Sequence, residues 1–444
     1  MTVKKEGFRR YMGLTFLIGF GFFTMGLMDP LYDTYLPAFL GRYISSKTLV
    51  GAVMTLDNVL QLFLIPIVAV WSDRTRTRIG RRMPFILVML PASAVFFGLI
   101  PWSAGVSLGA LITMIFLLNL FKTSVRGPVV ALMPDTIPGE FRSEANGVIN
   151  TMGGVGTIIG TLALARLMDL DVVLPIIGRT KDMLPFPIAG VFVILAVFVL
   201  FFFVHERNHD GEKLEERVPV IASIKAVVAQ EDKSALYILV SLFLWFSAHA
   251  GVVLFLGLYV RDVLGASSGQ MALPQGVAGI SYALTAIPMG YIAHKYGRRT
   301  TIRACLVGLF TLTALFTLIN LLGPSIGLTG APAFYLFMGM MLVYGVFWGS
   351  VITNSFPMLW QMSTFGNIGI FTGLYYTFSQ AANILAPPIT GLIIDLTMLF
   401  KPAPEYQYTG IFAFACVLQV AAFFVMAKVR KGEPGDAADE EVKA

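Results

Sequence analysis

From Phe186 to Val204 the chain carries no charged side chain. A helix of that length, rising about 1.5 Å per residue, crosses the roughly 30 Å of hydrocarbon in a bilayer. Lipid cannot satisfy backbone N–H and C=O groups, so a spanning segment must bond them internally, as a helix does. Comparable runs, set between charged or Pro/Gly breaks, recur along the 444 residues. They predict helices over 12–38, 48–72, 84–101, 107–134, 145–168 and 186–204, then 234–260, 272–293, 301–322, 333–359, 367–396 and 408–428. With 56% hydrophobic and 13% charged residues, the chain has too little polar surface for a soluble domain. The expected fold is an all-α integral membrane protein of about twelve spans.

Most of the 32 lysines and arginines fall on one side if both termini are cytoplasmic, the side on which basic residues are retained. Lys122 and Arg126 are exceptions, lying within the fourth span. Met1–Arg10 is polar, and the apolar run after it is long and lacks a small-residue cleavage site, so span 1 is expected to remain as an anchor in the inner (plasma) membrane. Cys305 and Cys416 both fall in predicted helices and imply neither a disulfide framework nor a metal site. The formal charge of +6 is accounted for by topology, with no need of nucleic acid as partner.

The chain repeats itself. Ala69-Val-Trp-Ser-Asp73-Arg, followed by Gly80-Arg-Arg82, returns as Gly290-Tyr-Ile-Ala-His294-Lys followed by Gly297-Arg-Arg299. A fainter echo sets Asn146-Gly147 against Thr372-Gly373. Two pseudo-symmetric six-helix bundles are therefore expected, 1–205 and 234–428, joined by a cytoplasmic linker at 206–233 and followed by a disordered acidic tail at 429–444. Gly153, Gly154, Gly156 and Gly160 form a small-residue stripe suited to close helix contact, not a phosphate loop. No Walker sequence occurs, so the driving energy must come from an ion gradient or the substrate's own.

The duplicated loop resembles the signature of the major facilitator superfamily. Asp73-Arg74 through Thr77-Arg78, Gly80-Arg81-Arg82 and Pro84-Phe85-Ile86 are similar to the loop of the sucrose–proton symporters and of the related glycoside–pentoside–hexuronide:cation symporters. Met54-Thr-Leu-Asp57-Asn58, Ala131-Leu-Met-Pro-Asp135, Ser143-Glu-Ala-Asn-Gly147 and Thr372-Gly-Leu-Tyr-Tyr376 resemble bacterial sugar-porter members of that group. The resemblance covers nearly the whole chain and implies secondary transport of a sugar by a monomer, without a cofactor and without enzymatic chemistry. It implies a cytoplasmic gate of Asp73, Arg74, Arg78, Gly80, Arg81, Arg82, Asp135 and Arg298. An Asp at the inner end of a helix can accept charge-assisted bonds from guanidinium groups and hold that side shut. Arg76 is read as a topology residue. His294 stands where the second copy of the family's motif has Asp, so gating is expected to be stronger in the first half. Gln61 and Ile65 stand where the sodium- and melibiose-type symporters carry cation-binding carboxylates, which favours protons over sodium.

Charges inside hydrocarbon cost about 2.5–3.5 kcal/mol on insertion scales and so face partners or wet cavities. Asp29 and Asp33 are one turn apart, with Pro30 expected to kink the helix. Asp57 falls in span 2, and Lys122 and Arg126 are one turn apart on span 4. Asp33 and Asp57 are the candidate proton carriers, Arg126 or Lys122 their counter-charge, and Asp29 a structural cap near the outer rim. Sugar binding needs aromatic faces for ring C–H groups and amide or hydroxyl side chains for ring hydroxyls. The candidates are Asn58, Gln61, Asn119, Trp245, His249, Trp348, Asn354, Tyr375, Tyr376, Gln380 and Asn383, with Trp360 and Tyr291 read as interfacial belt residues. The leading reading is a sugar:proton symporter among membrane lipids. The alternatives are an exporter of amphipathic compounds, disfavoured by these polar residues, and a membrane enzyme or sensor, disfavoured by the lack of a nucleophile-and-base pair or an output domain.

Overall fold

The computed structural model describes residues 8–138, 141–175, 178–206, 232–362, 368–400 and 403–433, with positions 224, 227 and 229 between. Among them are twelve helices long and apolar enough to cross a membrane: Met12–Leu40, Lys47–Arg74, Met83–Val106, Leu108–Thr136, Glu144–Asp169, Pro185–Phe203, Ser234–Asp262, Ser268–Tyr296, Arg298–Leu322, Gly330–Trp360, Ile370–Phe400 and Pro404–Met426. They are called spans 1 to 12. Each overlaps its sequence expectation, and the differences sit at ends. Span 8 starts before 272 because Ser267 and Gln270 form a capping box that opens its first turn. Span 9 starts at Arg298, directly after Gly297, whose φ of +94° turns the chain in a conformation that a side chain resists; Gly80, its repeat counterpart, has φ +106°.

Proline leaves span 1 intact, whereas spans 2 and 5 depart from a plain α-helix along their length. Span 1 runs unbroken through Pro30 and Pro37, so the proline does not end it. Span 2 is interrupted at Thr55, which separates helices Lys47–Met54 and Leu56–Arg74. Span 5 loosens into a π-turn at Ile159–Ala163 and tightens into a 3-10 turn at Leu164–Asp169. The connection after it is not helical: β1 (Val173–Leu174) pairs antiparallel with β2 (Gly178–Arg179). Arg179 clamps this hairpin by donating Nε and Nη2 to the two oxygens of Asp171 at 2.7 and 2.6 Å, which holds that carboxyl below the usual carboxylate range. The linker at 207–223 and the tail beyond Glu433 lie outside the described residues.

The chain divides into two compact units. The first comprises Met1–Tyr43, Leu56–Lys213 and Ser267–Gly276; the second comprises Ile44–Thr55, Leu214–Ala266 and Val277–Ala444. Each thus takes up one short segment from the other sequence half, and each segment is held by an aspartate. In the first unit Asp169 accepts from Ser267 Oγ at 2.6 Å and Gly269 N at 2.9 Å. In the second, Asp395 accepts from Ser46 Oγ, Lys47 N, Thr48 N and Thr48 Oγ1 at 2.7–3.0 Å. Both carboxylates meet orphan N–H groups at a helix start, where a negative charge is favoured.

Within the first unit, spans 1 and 5 cross backbone to backbone. A Cβ on Gly26 would lie 1.9 Å from Gly153 O, and one on Gly156 2.4 Å from Phe23 O. The small-residue stripe is packing between helices in contact. Within the second, Tyr259 meets Phe337 and Phe412 edge-on and Phe316 meets the same two rings tilted, with centroids 4.7–5.3 Å apart.

Candidate functional site

The first unit gathers its membrane charges between spans 1 and 4. Asp29, Tyr32 and Asp33 stand at i, i+3 and i+4 on span 1 and share a face; Asn119, Lys122 and Arg126, at i, i+3 and i+7, share one on span 4. Lys122 Nζ donates to Asp29 Oδ1 at 2.9 Å and sits 4.6 Å from the centroid of the Tyr32 ring. Asn119 Nδ2 donates to Tyr32 Oη at 2.7 Å. Asp29 is therefore an ion-pair partner and not a cap. The physical reason is the continuity of span 1 through Pro30, which leaves Asp29 well inside the helix instead of at its rim.

With Lys122 bonded to Asp29, the neighbouring Asp33 and Arg126 make no hydrogen bond or ion pair among the described residues. Asp57 lies in the first turn after the break at Thr55, and its Oδ1 accepts from the backbone N–H and the Nδ2 of Asn58 at 2.6 and 2.8 Å. Asn58 is thus turned to Asp57. Gln61 is buried. Asn119 Oδ1 and Thr123 Oγ1, one turn apart and buried, have no partner among the described residues and leave acceptors to satisfy.

At the end of span 2 the same unit builds a dense charge network. Arg82 donates to Ser72 Oγ and to Asp73 Oδ1, and its Nε to Asp135 Oδ2 at 2.8 Å. Arg81 grips Asp135 with Nε at 3.0 Å and Nη2 at 2.6 Å, and this hydrogen bonding raises the pKa of its guanidinium. Sequence reasoning missed the central piece. Glu206, assigned to the linker, accepts from the backbone N–H groups of Arg81, Arg82 and Met83 at 2.7–3.1 Å and so caps span 3. A Cβ on Gly80 would lie 2.5 Å from that carboxyl. Arg74 and Arg78, expected in the gate, are exposed and make no ion pair among the described residues. Arg76 donates to the carbonyls of Asp73 and Thr75.

In the second unit Glu433, assigned to the tail, repeats the role of Glu206: it accepts from Arg298 N at 2.7 Å and Arg299 N at 3.0 Å. The signal was one acidic residue just past the sixth span and one just past the twelfth. The same unit holds an aromatic set at mid-span. His249 stacks on Trp348 with centroids 3.8 Å apart and planes 8° apart, and its Nδ1 is 3.1 Å from Tyr344 Oη. Phe246 meets Trp348 and Tyr375 edge-on, and Tyr375 Oη is 3.2 Å from Ser355 Oγ. Tyr344, missed earlier, lies one turn before Trp348.

Other candidates separate from this set. Trp245 is 1% exposed, its Nε1 without a partner among the described residues, and packs in the core. Asn354 is bound within span 10 through Nδ2 to Ser350 O at 2.9 Å. Tyr376 is 58% exposed beside Phe356. Gln380 and Asn383 follow Tyr375 along span 11 at intermediate burial. Tyr291 and Trp360 are exposed near span ends, and Trp360 donates to Thr372 Oγ1 at 2.9 Å.

A family model described as Major Facilitator Superfamily matches residues 14–387 and again 264–443. Over 171 residues the chain is 26% identical to the general alpha-glucoside permease of Schizosaccharomyces pombe, covering 35% of this chain and 31% of that protein. It is 25% identical over 206 residues to the sucrose transport protein SUC3 of Arabidopsis thaliana, covering 39% and 34%. The chain thus matches about a third of the length of these relatives. Its fold is similar to a bacterial homolog of the human lysosomal transporter Spinster, with TM-score 0.73 and 13% identity over 95% of this chain and 98% of that one. It is also similar to the nucleoside transporter NupG, with TM-score 0.68 and 12% identity over 94% and 100%. The POT family transporter PepTSo matches with TM-score 0.68 and 12% identity over 95% and 98%.

Proposed function

The chain belongs to the Major Facilitator Superfamily, and from that premise we propose that it moves a sugar, a di- or oligosaccharide glycoside, by proton-coupled symport with alternating access. The observation that carries the proton is the unequal partnering of its membrane carboxylates. Lys122 is committed to Asp29, while Asp33, one turn further on, has no hydrogen bond or ion pair among the described residues. A carboxyl in hydrocarbon without a cation bound to it holds a proton readily and gives it up when a charge nearby is rearranged. Asp33 is then the proton carrier, Asp29–Lys122 a fixed pair, and Asp57 a second carboxyl tied to its own helix start.

The sugar reading is supported by the His249–Trp348–Phe246–Tyr375 set, which offers a flat aromatic face with hydroxyl and imidazole groups at its edge. It is also supported by the two relatives, whose names give an alpha-glucoside and sucrose. In this reading the network around Asp73, Arg81, Arg82 and Asp135 is a cytoplasmic gate, both termini are cytoplasmic and the protein works as a monomer in the cell membrane.

The test is uptake of labelled disaccharides into proteoliposomes under an inward proton gradient, with and without a protonophore. Accumulation above equilibrium that the protonophore abolishes is the expected result. Sugar uptake unaffected by the proton gradient but driven by sodium overturns the proton assignment. Failure to move any sugar, with movement of amphipathic dyes, overturns the cargo.

A further inference from the structure

The repeat is broken at one place in a way that leaves individual guanidinium nitrogens of half-buried arginines without a hydrogen-bond partner among the described residues. In the first unit the arginines opening span 3 meet side-chain carboxylates: Arg82 bonds Asp73 and Asp135, and Arg81 bonds Asp135. Their repeat counterparts, Arg298 and Arg299, open span 9 in the second unit. There the counterpart of Asp73 is His294, and the end of span 10, Met358-Leu-Trp360 with Gln361 after it, has no carboxylate where span 4 carries Asp135.

The consequence is visible atom by atom. Nη1 of Arg298, Nε of Arg299 and Nε of Arg303 are buried and have no hydrogen-bond partner among the described residues. Arg299 and Arg303 stand one turn apart, both turned to the end of span 12. Nη2 of Arg299 donates to Ala427 O at 2.6 Å, and the guanidinium of Arg303 lies 4.5 Å from the centroid of the Phe423 ring. Lys428 and Arg430 follow directly, while Glu433 is bonded to the backbone of Arg298 and Arg299. Buried guanidinium donors left unmade are costly, and the N-terminal end of a long helix adds its own positive potential.

We propose that this end of the second unit is a binding site for a phosphate oxyanion, with Arg299 and Arg303 as its principal donors and Arg298 at its edge. Guanidinium groups match phosphate with paired, charge-assisted bonds. The site lies at the end of a membrane span, the level at which the phosphodiesters of anionic phospholipids sit, so a lipid headgroup and a soluble phosphate offer the same chemistry.

The test uses the full chain in neutral detergent and reads thermal unfolding and native mass spectra. The probes are dihexanoyl phosphatidylglycerol, the phosphatidylcholine of equal chain length and inorganic phosphate at matched ionic strength. The expected result is binding of phosphatidylglycerol over phosphatidylcholine, weakened about tenfold by Arg303→Gln or Arg299→Gln. Arg303→Lys retains part of it, and Arg9→Gln, at an exposed position, leaves it unchanged. An equal response to inorganic phosphate supports the site and identifies a soluble source; a response to phosphatidylglycerol alone identifies lipid. Equal binding of both phospholipids, or wild-type binding by Arg303→Gln and Arg299→Gln, overturns the proposal. So does binding that appears only after removal of 434–444, since the acidic residues Asp436, Asp439, Glu440 and Glu441 would then be the natural occupant.

Discussion

Lys122 and Asp29 face each other across spans 1 and 4 with 2.9 Å between Nζ and Oδ1, the lysine 8% exposed and the aspartate 37%. Removing one partner strands the other. Lys122→Gln and Asp29→Asn should each lower stability by about 1–3 kcal/mol, less than a fully buried pair because Asp29 is partly open to solvent. The double variant should recover most of that loss. A double-mutant cycle on detergent unfolding midpoints checks this, and additive losses would count against a coupled pair.

Asp33→Asn should abolish gradient-driven accumulation of sugar while leaving sugar exchange intact, because exchange needs no net proton movement. Asp57→Asn, whose carboxyl bonds its own helix start, should lower the rate and keep accumulation. The opposite pattern in proteoliposomes would transfer the coupling role to Asp57.

Trp348→Ala should raise the KM for sugar roughly 3- to 10-fold, the size of one lost aromatic contact, with Trp348→Phe intermediate. Tyr376→Ala should change KM little. Initial-rate uptake across sugar concentrations separates these effects from changes in maximal rate.

Glu206→Gln should lower the unfolding midpoint by several degrees, since three backbone N–H groups lose a charged acceptor worth about 1.5–3 kcal/mol. Glu433→Gln, serving two, should cost less. Equal and negligible shifts would mean that neither cap stabilises its span.

Gly156→Leu should prevent assembly of a monodisperse protein, because its Cβ alone would meet Phe23 O at 2.4 Å. Gly154→Ala, with nothing within 4 Å of the added atom, should be neutral. Size-exclusion profiles of the two variants provide the comparison.

Much of this was legible from residues in order. The loop carrying Arg81, Arg82 and Asp73 declared itself by its charge and its recurrence around Arg298 and Arg299. Asp29, Tyr32 and Asp33 declared a shared face by spacing, yet which of the two acids met Lys122 did not follow. Spans 1 and 4 are apolar around most of their circumference, so composition does not set the rotation of either about its axis. Glu206 and Glu433 were hidden for a related reason. A cap that comes from 125 residues further along the chain leaves no local mark on the helix it closes.

The number of spans among the described residues and their approximate places were settled by the sequence itself, because the thickness of hydrocarbon and the demand that every backbone group be bonded act on each segment separately. The partners of the buried charges were settled only in the folded chain. A carboxylate finds its cation through the close crossing of spans 1 and 5, the unbroken helix at Pro30 and the turns at Gly80 and Gly297, and each of these is a property of packed backbone, not of composition.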